Sequence, residues 1–330
     1  MTPRIALLGC GYWGKNLARN LHELGVLKRV CDPSDAGQAK AREMAPGVDV
    51  APDFKEAFLN EDIEGVAIAT PAETHFELAS RALEAGKDVF VEKPLALNAA
   101  EGQRLCQLAR EQDRILMVGH LLEYHPAVEH LKGMTEKGEF GKLRYIYSHR
   151  LNFGKIRTEE NALWSFAPHD VAVILRLTGE MPQEVHCTGG NYLTPGLADV
   201  TMSVLKFESG VRAHIFVSWL NPFKEQKLVV TGSERMAVFN DVAQDKLILH
   251  EQRVDFQGAQ PVLQNQGTAT VELPDSEPLR KECEHFVNCI ERREKPLTDA
   301  ESGVRVLKVL EACQESMDLN GQSVILDGDK

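Results

Sequence analysis

Two side chains in this sequence are of a kind that moves protons near neutral pH. Lys93 stands in Glu92-Lys93-Pro94, and His169 in Trp164-Ser165-Phe166-Ala167-Pro168-His169-Asp170. A lysine acts as a general base when burial and a nearby cation lower its pKa from ~10.4 towards 7. Otherwise it is a solvated surface lysine, the usual state of this residue. The proline after Lys93 holds the lysine extended and so aims its side chain. Pro168 fits near the start of a helix predicted over about residues 168–177, which puts His169 in its first turn. The positive end of the helix dipole disfavours imidazolium there and suits a neutral ring that exchanges a proton. A histidine hydrogen-bonded within a core is the other reading.

A third group of residues suits an anion. Gly9-Cys10-Gly11-Tyr12-Trp13-Gly14 follows an apolar run and opens a helical pattern. In that context the first glycine permits a tight turn and the second lets the backbone approach a pyrophosphate. The third lets helix and strand pack closely, with the helix N-terminus facing the anion. Asp32 lies 23 residues after Gly9, near the ~20 expected of an acid that accepts hydrogen bonds from the adenosine ribose. A carboxylate there repels a 2′-phosphate, and no arginine follows it in Asp32-Pro33-Ser34-Asp35. NAD is therefore expected over NADP. A plain glycine turn with a solvated aspartate is the alternative. Further along, Arg150, Lys155 and Arg157 gather cations within one short segment. Arginine forks suit a pyrophosphate, and Asn152 between them suits an amide or hydroxyl. A basic strand end making surface ion pairs is the bland reading.

The elements that must position these residues are α/β. Short β-rich runs at 4–8, 27–31, 65–69, 88–91 and 115–118 alternate with amphipathic helical stretches, which predicts a doubly wound parallel sheet. After about residue 140, runs at 143–151, 200–207, 211–217, 227–231 and 236–239 follow one another over short turns and predict a large, mostly antiparallel sheet. Two helices close the chain, one over 278–292 and one begun by the capping box Thr298-x-x-Glu301. Residues 252–276 are polar without a clear period and read as a long loop or edge excursion. A length of 330 residues suits two domains, placed at 1–120 and 121–330.

Composition narrows the class without naming a reaction. A net charge of −12 argues against nucleic acid or an anionic membrane surface as a partner. No apolar run reaches the ~18–20 residues of a membrane span, and the opening residues reach a glycine turn too soon for a signal peptide. Seven scattered cysteines without a CxxC pair suit reduced thiols in a cytoplasm, and no metal site is expected.

Taken in order, the glycine turn, Ala69-Thr70-Pro71 with His75, Glu92-Lys93-Pro94, Val118-Gly119-His120 and the histidine helix resemble the Gfo/Idh/MocA family of sugar and inositol oxidoreductases, across essentially the whole chain. The resemblance implies a Rossmann domain followed by an α/β domain whose open sheet face often mediates assembly, here as a homodimer or homotetramer. It implies NAD-linked hydride transfer at a sugar carbinol, with Lys93 and His169 catalytic. Thr70, Pro71, His75, Glu92, Lys93 and His120 would join Gly9, Gly11, Tyr12, Trp13, Gly14 and Asp32 around the cofactor. Tyr124 and its neighbour His125 would line the substrate pocket.

Ser165 stands where family members commonly carry an aspartate, one helical turn before His169. Serine can hydrogen-bond but brings no charge. The segments 148–157 and 161–170 are similar to the subgroup acting on nucleotide-activated amino sugars. That implies a UDP-sugar substrate held by Tyr124, Arg150, Asn152, Arg157, Ser165 and His169. The expected reaction is oxidation of the 3-hydroxyl of UDP-N-acetylglucosamine to a 3-keto sugar, which an aminotransferase would consume. The alternatives are UDP-N-acetylglucosaminuronic acid, another sugar or an inositol as substrate, and a non-catalytic NAD-sensing regulatory protein.

Overall fold

The computed structural model describes residues 2–326 of the chain. It falls into two compact units, Met1–Tyr124 with Ser276–Leu307, and His125–Asp275 with Lys308–Lys330. The first unit begins β1 (Ile5–Leu8), α1 (Gly14–Glu23), β2 (Leu27–Cys31), α2 (Asp35–Met44), β3 (Asp49–Ala51), α3 (Lys55–Leu59), β4 (Gly65–Ile68), α4 (His75–Glu84), β5 (Asp88–Glu92), α5 (Ala99–Glu111) and β6 (Leu116–Gly119). The second carries α6 (Pro126–Glu136), β7 (Leu143–Phe153), α7 (Ala162–Thr178), β8 (Pro182–Gly190), β9 (Val200–Phe207), β10 (Arg212–Ser218), β11 (Leu220–Gly232), β12 (Met236–Asn240), β13 (Leu247–Gln257) and β14 (Gln260–Thr270). The chain then supplies α8 (Pro278–Arg292) and α9 (Ala300–Asp318), and ends in β15 (Val324–Ile325).

In the first unit six parallel strands are ordered β3-β2-β1-β4-β5-β6. Strands β1, β4, β5 and β6 are buried at every position, which is why they read as continuous apolar runs rather than alternations. Strand order reverses between β1 and β4, and the glycine turn after β1 and Thr70 after β4 lie at that reversal. The expected division at residue 120 is corrected here, because α8 belongs to this first unit. Its buried stripe of Leu279, Cys283, Phe286 and Ile290 joins the core of the parallel sheet. Phe286 meets Phe90 at a ring distance of 5.8 Å. Gly65 makes room for that stripe, since a Cβ there would come within 2.8 Å of Ile290.

The second unit is built on nine strands ordered β14-β13-β12-β11-β7-β10-β9-β8-β15, antiparallel except for the β7–β10 pair. Alternation along β7 sends Ile146, Ser148 and Arg150 to one face, the face of Asp170 on α7. Tyr145, Tyr147 and His149 go to the other, where Tyr147 stacks on His214 of β10 at 5.1 Å.

Of three local expectations, two are overturned and one, the long loop or edge excursion, is narrowed to the latter. The histidine helix starts at Ala162, not near 168, because the Asn161 side chain accepts the Trp164 N–H at 3.2 Å and caps it there. Pro168 therefore sits inside α7 and leaves the Trp164 carbonyl without its usual donor. His169 is thus remote from the positive helix end, and the dipole argument for its neutrality does not hold. Second, residues 252–276 are largely the edge hairpin β13–β14. Its two strands pair with each other while β14 side chains stay mostly exposed, so no burial period marks the sequence. Third, Asp299 caps α9 in place of Thr298. Its Oδ1 accepts the Ser302 N–H at 2.6 Å, while Thr298 is buried against the Tyr124 hydroxyl.

Among the described residues no helix is long and apolar enough to cross a membrane. All seven cysteines are buried and unbridged.

Candidate active site

The turn after β1 is shaped by close approach. Gly9 adopts φ 84° and donates its N–H to the Cys31 carbonyl at 2.8 Å. A Cβ at Gly9 would lie 2.9 Å from Thr70 Cγ2, and one at Gly14 only 2.2 Å from the Gly9 carbonyl oxygen. Gly11 has nothing within 4 Å of that position, so its backbone is open to an approaching group. Tyr12 next to it is exposed. At the end of β2 the Asp32 carboxylate is fixed by three donors. Cys10 N–H reaches Oδ2 at 2.7 Å, and Ser34 N–H and Oγ reach Oδ1 at 2.9 and 2.7 Å. A carboxylate has about four acceptor positions, so capacity for a ribose hydroxyl remains. An open glycine backbone and an oriented carboxylate fit a dinucleotide.

Asp32→Gly should therefore relax the preference for NAD over NADP by about tenfold or more, the worth of ~1.4 kcal/mol. Kd for both cofactors, read by quenching of protein fluorescence, checks it, and an unchanged ratio would remove the ribose assignment.

The ends of β4, β5 and β6 gather the other expected cofactor residues. Thr70 Oγ1 meets Thr74 Oγ1 at 2.6 Å, in the short turn that Pro71 opens. His75 is buried with Nδ1 2.7 Å from the Pro94 carbonyl and Nε2 3.0 Å from the Thr70 carbonyl. Burial lowers its pKa, so the ring is neutral and its single N–H serves one carbonyl at a time. His75 thus ties the loop after β4 to the loop after β5, where the Lys93–Pro94 peptide is cis.

Lys93 is half-buried at this edge. Beside it Glu92 accepts the Trp13 indole N–H. Burial pushes the Glu92 carboxyl up to about 7, against the opposing pull of Trp13 and Lys93. His120 is 2% exposed, and burial together with the Lys93 charge lowers it to about 4, so it is a neutral imidazole. Tyr124, expected at the substrate, is buried. It is 3% exposed within the core of the first unit, with its hydroxyl 3.0 Å from Thr298 Oγ1 and its ring against His285.

In the second unit the expected cation cluster is dispersed. Arg150 Nε and Nη2 donate to the two oxygens of Asp170 at 2.9 and 3.1 Å, a forked pair with side chains 14% and 4% exposed. Ser148 Oγ donates to the same carboxylate at 2.5 Å. Arg157 pairs with Glu160 at 3.0 Å, and Lys155 is exposed. Asn152 folds against Gly154, where a Cβ would sit 3.0 Å from its amide. Ser165 is buried one turn before the half-buried His169 on α7.

Sequence reasoning missed Asp199, which is fully buried. It accepts the Tyr192 and Leu193 N–H groups at 2.6 and 2.9 Å and the Trp219 indole N–H at 2.6 Å. Burial works to raise its pKa, but these donors hold it below the ordinary carboxylate range. Nothing local in Ala198-Asp199-Val200 signals that role, since Trp219 is twenty residues on and meets Asp199 only through the pairing of β9 with β10.

A parallel sheet with a glycine turn at its strand reversal and an oriented acid after the second strand defines an NAD-binding oxidoreductase domain. The chain belongs to the Gfo/Idh/MocA family. The model described as "Oxidoreductase family, NAD-binding Rossmann fold" matches residues 3–120, and that of the "GFO/IDH/MocA C-terminal domain" matches 128–238. NAD is its cofactor, and the family comprises dehydrogenases of sugars and polyols.

UDP-N-acetylglucosamine 3-dehydrogenase of Acidithiobacillus ferrooxidans is 27% identical over 310 residues, 92% of this chain and 94% of that one. A solved structure of that enzyme superposes with a TM-score of 0.84 at 24% identity, over 96% of this chain and 97% of the other. The scyllo-inositol 2-dehydrogenase (NAD(+)) of Bacillus subtilis is 26% identical over 98% of this chain and 96% of that one. A 2,7-anhydro-N-acetylneuraminate hydratase of Mediterraneibacter gnavus is 32% identical, but the match spans 60% of this chain and 55% of the relative.

Proposed function

We propose that this protein oxidises the 3-hydroxyl of UDP-N-acetylglucosamine to the 3-keto sugar. The observation that carries the reading is the similarity to the Acidithiobacillus enzyme along nearly the full length of both chains. The lysine edge of β5 supports the chemistry. When bound, NAD+ accepts the hydride from the carbinol carbon. Lys93 follows the carboxyl end of β5, the end at which open α/β sheets bind ligands, and is assigned to the developing alkoxide. His169 is assigned to taking the hydroxyl proton, and the two roles are interchangeable. Trp13 and His75 hold the Glu92-Lys93-Pro94 segment from either side and so orient the lysine. The 3-keto product is a substrate for transamination, so an aminotransferase is the natural consumer.

A free polyol is the second reading, and one observation favours it. Arg150, the cation best suited to a pyrophosphate, is engaged with Asp170. Incubation with NAD+ and, separately, UDP-N-acetylglucosamine, UDP-N-acetylglucosaminuronic acid and the inositols decides between them, followed by absorbance of the reduced nicotinamide. The UDP-N-acetylglucosamine reaction should run fastest and give a ketone at C3 by NMR. Faster turnover of an inositol would replace the first reading with the second.

A further inference from the structure

Three carboxylic acids are buried in the first unit around the β5 edge. Glu92 ends β5, Glu123 lies in the turn Leu121–Tyr124 after β6, and Glu282 is on α8; their exposures are 8%, 5% and 0%. Neither oxygen of Glu282 has a hydrogen-bond partner. Glu92 is held at one oxygen by Trp13, and the other lies where a Cβ on Gly119 would come within 2.9 Å.

The titratable and charged groups acting on this cluster come from every element around it. Lys93 follows Glu92, His120 follows β6, Tyr124 ends the turn, and Cys283 is next to Glu282 on α8. His120 is neutral, and burial keeps the Tyr124 hydroxyl and the Cys283 thiol protonated. The cluster thus sets three acids against the ammonium of Lys93. Like charges close together in a low-dielectric interior do not all ionise, so the cluster retains protons at neutral pH. Burial, then Glu92 and Glu123, hold the Glu282 carboxyl well above the usual carboxylate range, while Glu92 lies at about 7.

We propose that Glu92 is a proton-exchanging carboxyl coupled to the charge of the cofactor: it gives up its proton when the cationic nicotinamide binds beside Lys93 and regains one when the cofactor is reduced. Glu282 behind it stays a neutral acid throughout. The inference rests on the reading that places the nicotinamide at the Lys93 edge. In one turnover the alcohol C–H bond breaks with its electron pair passing to NAD+, and the O–H bond breaks with its proton taken by the assigned base, Lys93 or His169, which then restores one proton to the Glu92 carboxylate. The products are ketone, NADH and a protonated Glu92, and no proton need reach solvent until NADH leaves. The sign follows. NAD+ favours the ionised carboxyl, so NAD+ binding tightens as pH rises through about 7 and levels off above it, whereas NADH binding does not.

Isothermal titration of the intact protein in two buffers of different ionisation heat counts the protons released. At neutral pH, NAD+ should release roughly half a proton per site, and its Kd should fall roughly fivefold from about pH 6 to about pH 8. ADP-ribose, which lacks the charged ring, and NADH should release none. Glu92→Gln should abolish the release. Lys93→Met should keep it but move it to higher pH, since burial of Glu92 is then opposed only by Trp13 and by the hydrogen bond from the backbone of residue 93. Trp13→Phe should also move the Kd curve to higher pH, and it carries the test if Glu92→Gln fails to fold. Glu282→Gln should leave the proton count unchanged while removing one protonated-carboxyl band from the infrared spectrum.

NAD+ binding without proton release, equal release by ADP-ribose, or full release in Glu92→Gln would each overturn the inference. The sugar panel is read by turnover, so failure of the proposed activity shows there and not in the proton count.

Discussion

Lys93→Ala should lower kcat by about 10²–10⁴ while NAD+ still binds. The reasons are local. Lys93 stands at the carboxyl end of β5, its segment held by the Trp13–Glu92 bond and by His75 on the Pro94 carbonyl. None of those holding contacts passes through the lysine amine, so removing it should spare the cradle formed by Gly9, Gly11 and Gly14. The loss should therefore appear chiefly in kcat, with Kd for NAD+ changing only as far as the Glu92 pH curve moves. Lys93→Arg should stay low as well, because guanidinium retains charge but does not give up its proton. His169→Ala should fall in the same range. Stopped-flow measurement of hydride transfer, beside equilibrium titration of NAD+, separates the two quantities. Wild-type turnover in Lys93→Ala would withdraw the amine from the chemistry.

The second large effect is on stability. Asp170→Ala should destabilise the protein by ~3–5 kcal/mol, because it strands the Arg150 guanidinium in a buried position with its countercharge gone. The forked geometry and the added Ser148 hydrogen bond mark a fully compensated pair, and such pairs are costly to halve. Replacing both partners, as in Arg150→Met with Asp170→Leu, should recover most of the loss, since the pair's own attraction is largely offset by desolvation. Denaturant midpoints of the two single variants and the double variant measure this. Additive losses would show that Arg150 and Asp170 contribute separately, and Arg150 would again be available to a substrate phosphate.

That pair also shows where reading the sequence succeeds and where it stops. Five of the six strands of the first unit lie within a residue of their expected places, because a buried parallel strand is a short apolar run between turns; the three-residue edge strand β3, only partly buried, was not among them. The glycine turn is equally local. Gly9, Gly11 and Gly14 act through their own backbone and through Thr70 at the neighbouring strand end. The helix start at Ala162 was hidden because Pro168 is a strong boundary signal, whereas the Asn161 cap that overrides it is weak in isolation. The burial of Tyr124 is not legible locally, because its hydroxyl partner, Thr298, lies 174 positions away.

The amino-acid order alone thus determined the parallel sheet, the dinucleotide turn with Asp32, and the position of Lys93 after a strand of that sheet. Each depends on backbone conformation and periodicity over a few residues. Only the tertiary structure decided which charges are spent. Arg150 is paired with Asp170, Arg157 with Glu160, and burial beside Glu92 and Glu123 holds the Glu282 carboxyl well above the usual carboxylate range. The free energy of a charge depends on what packs around it and excludes water, and those neighbours come from other strands and helices.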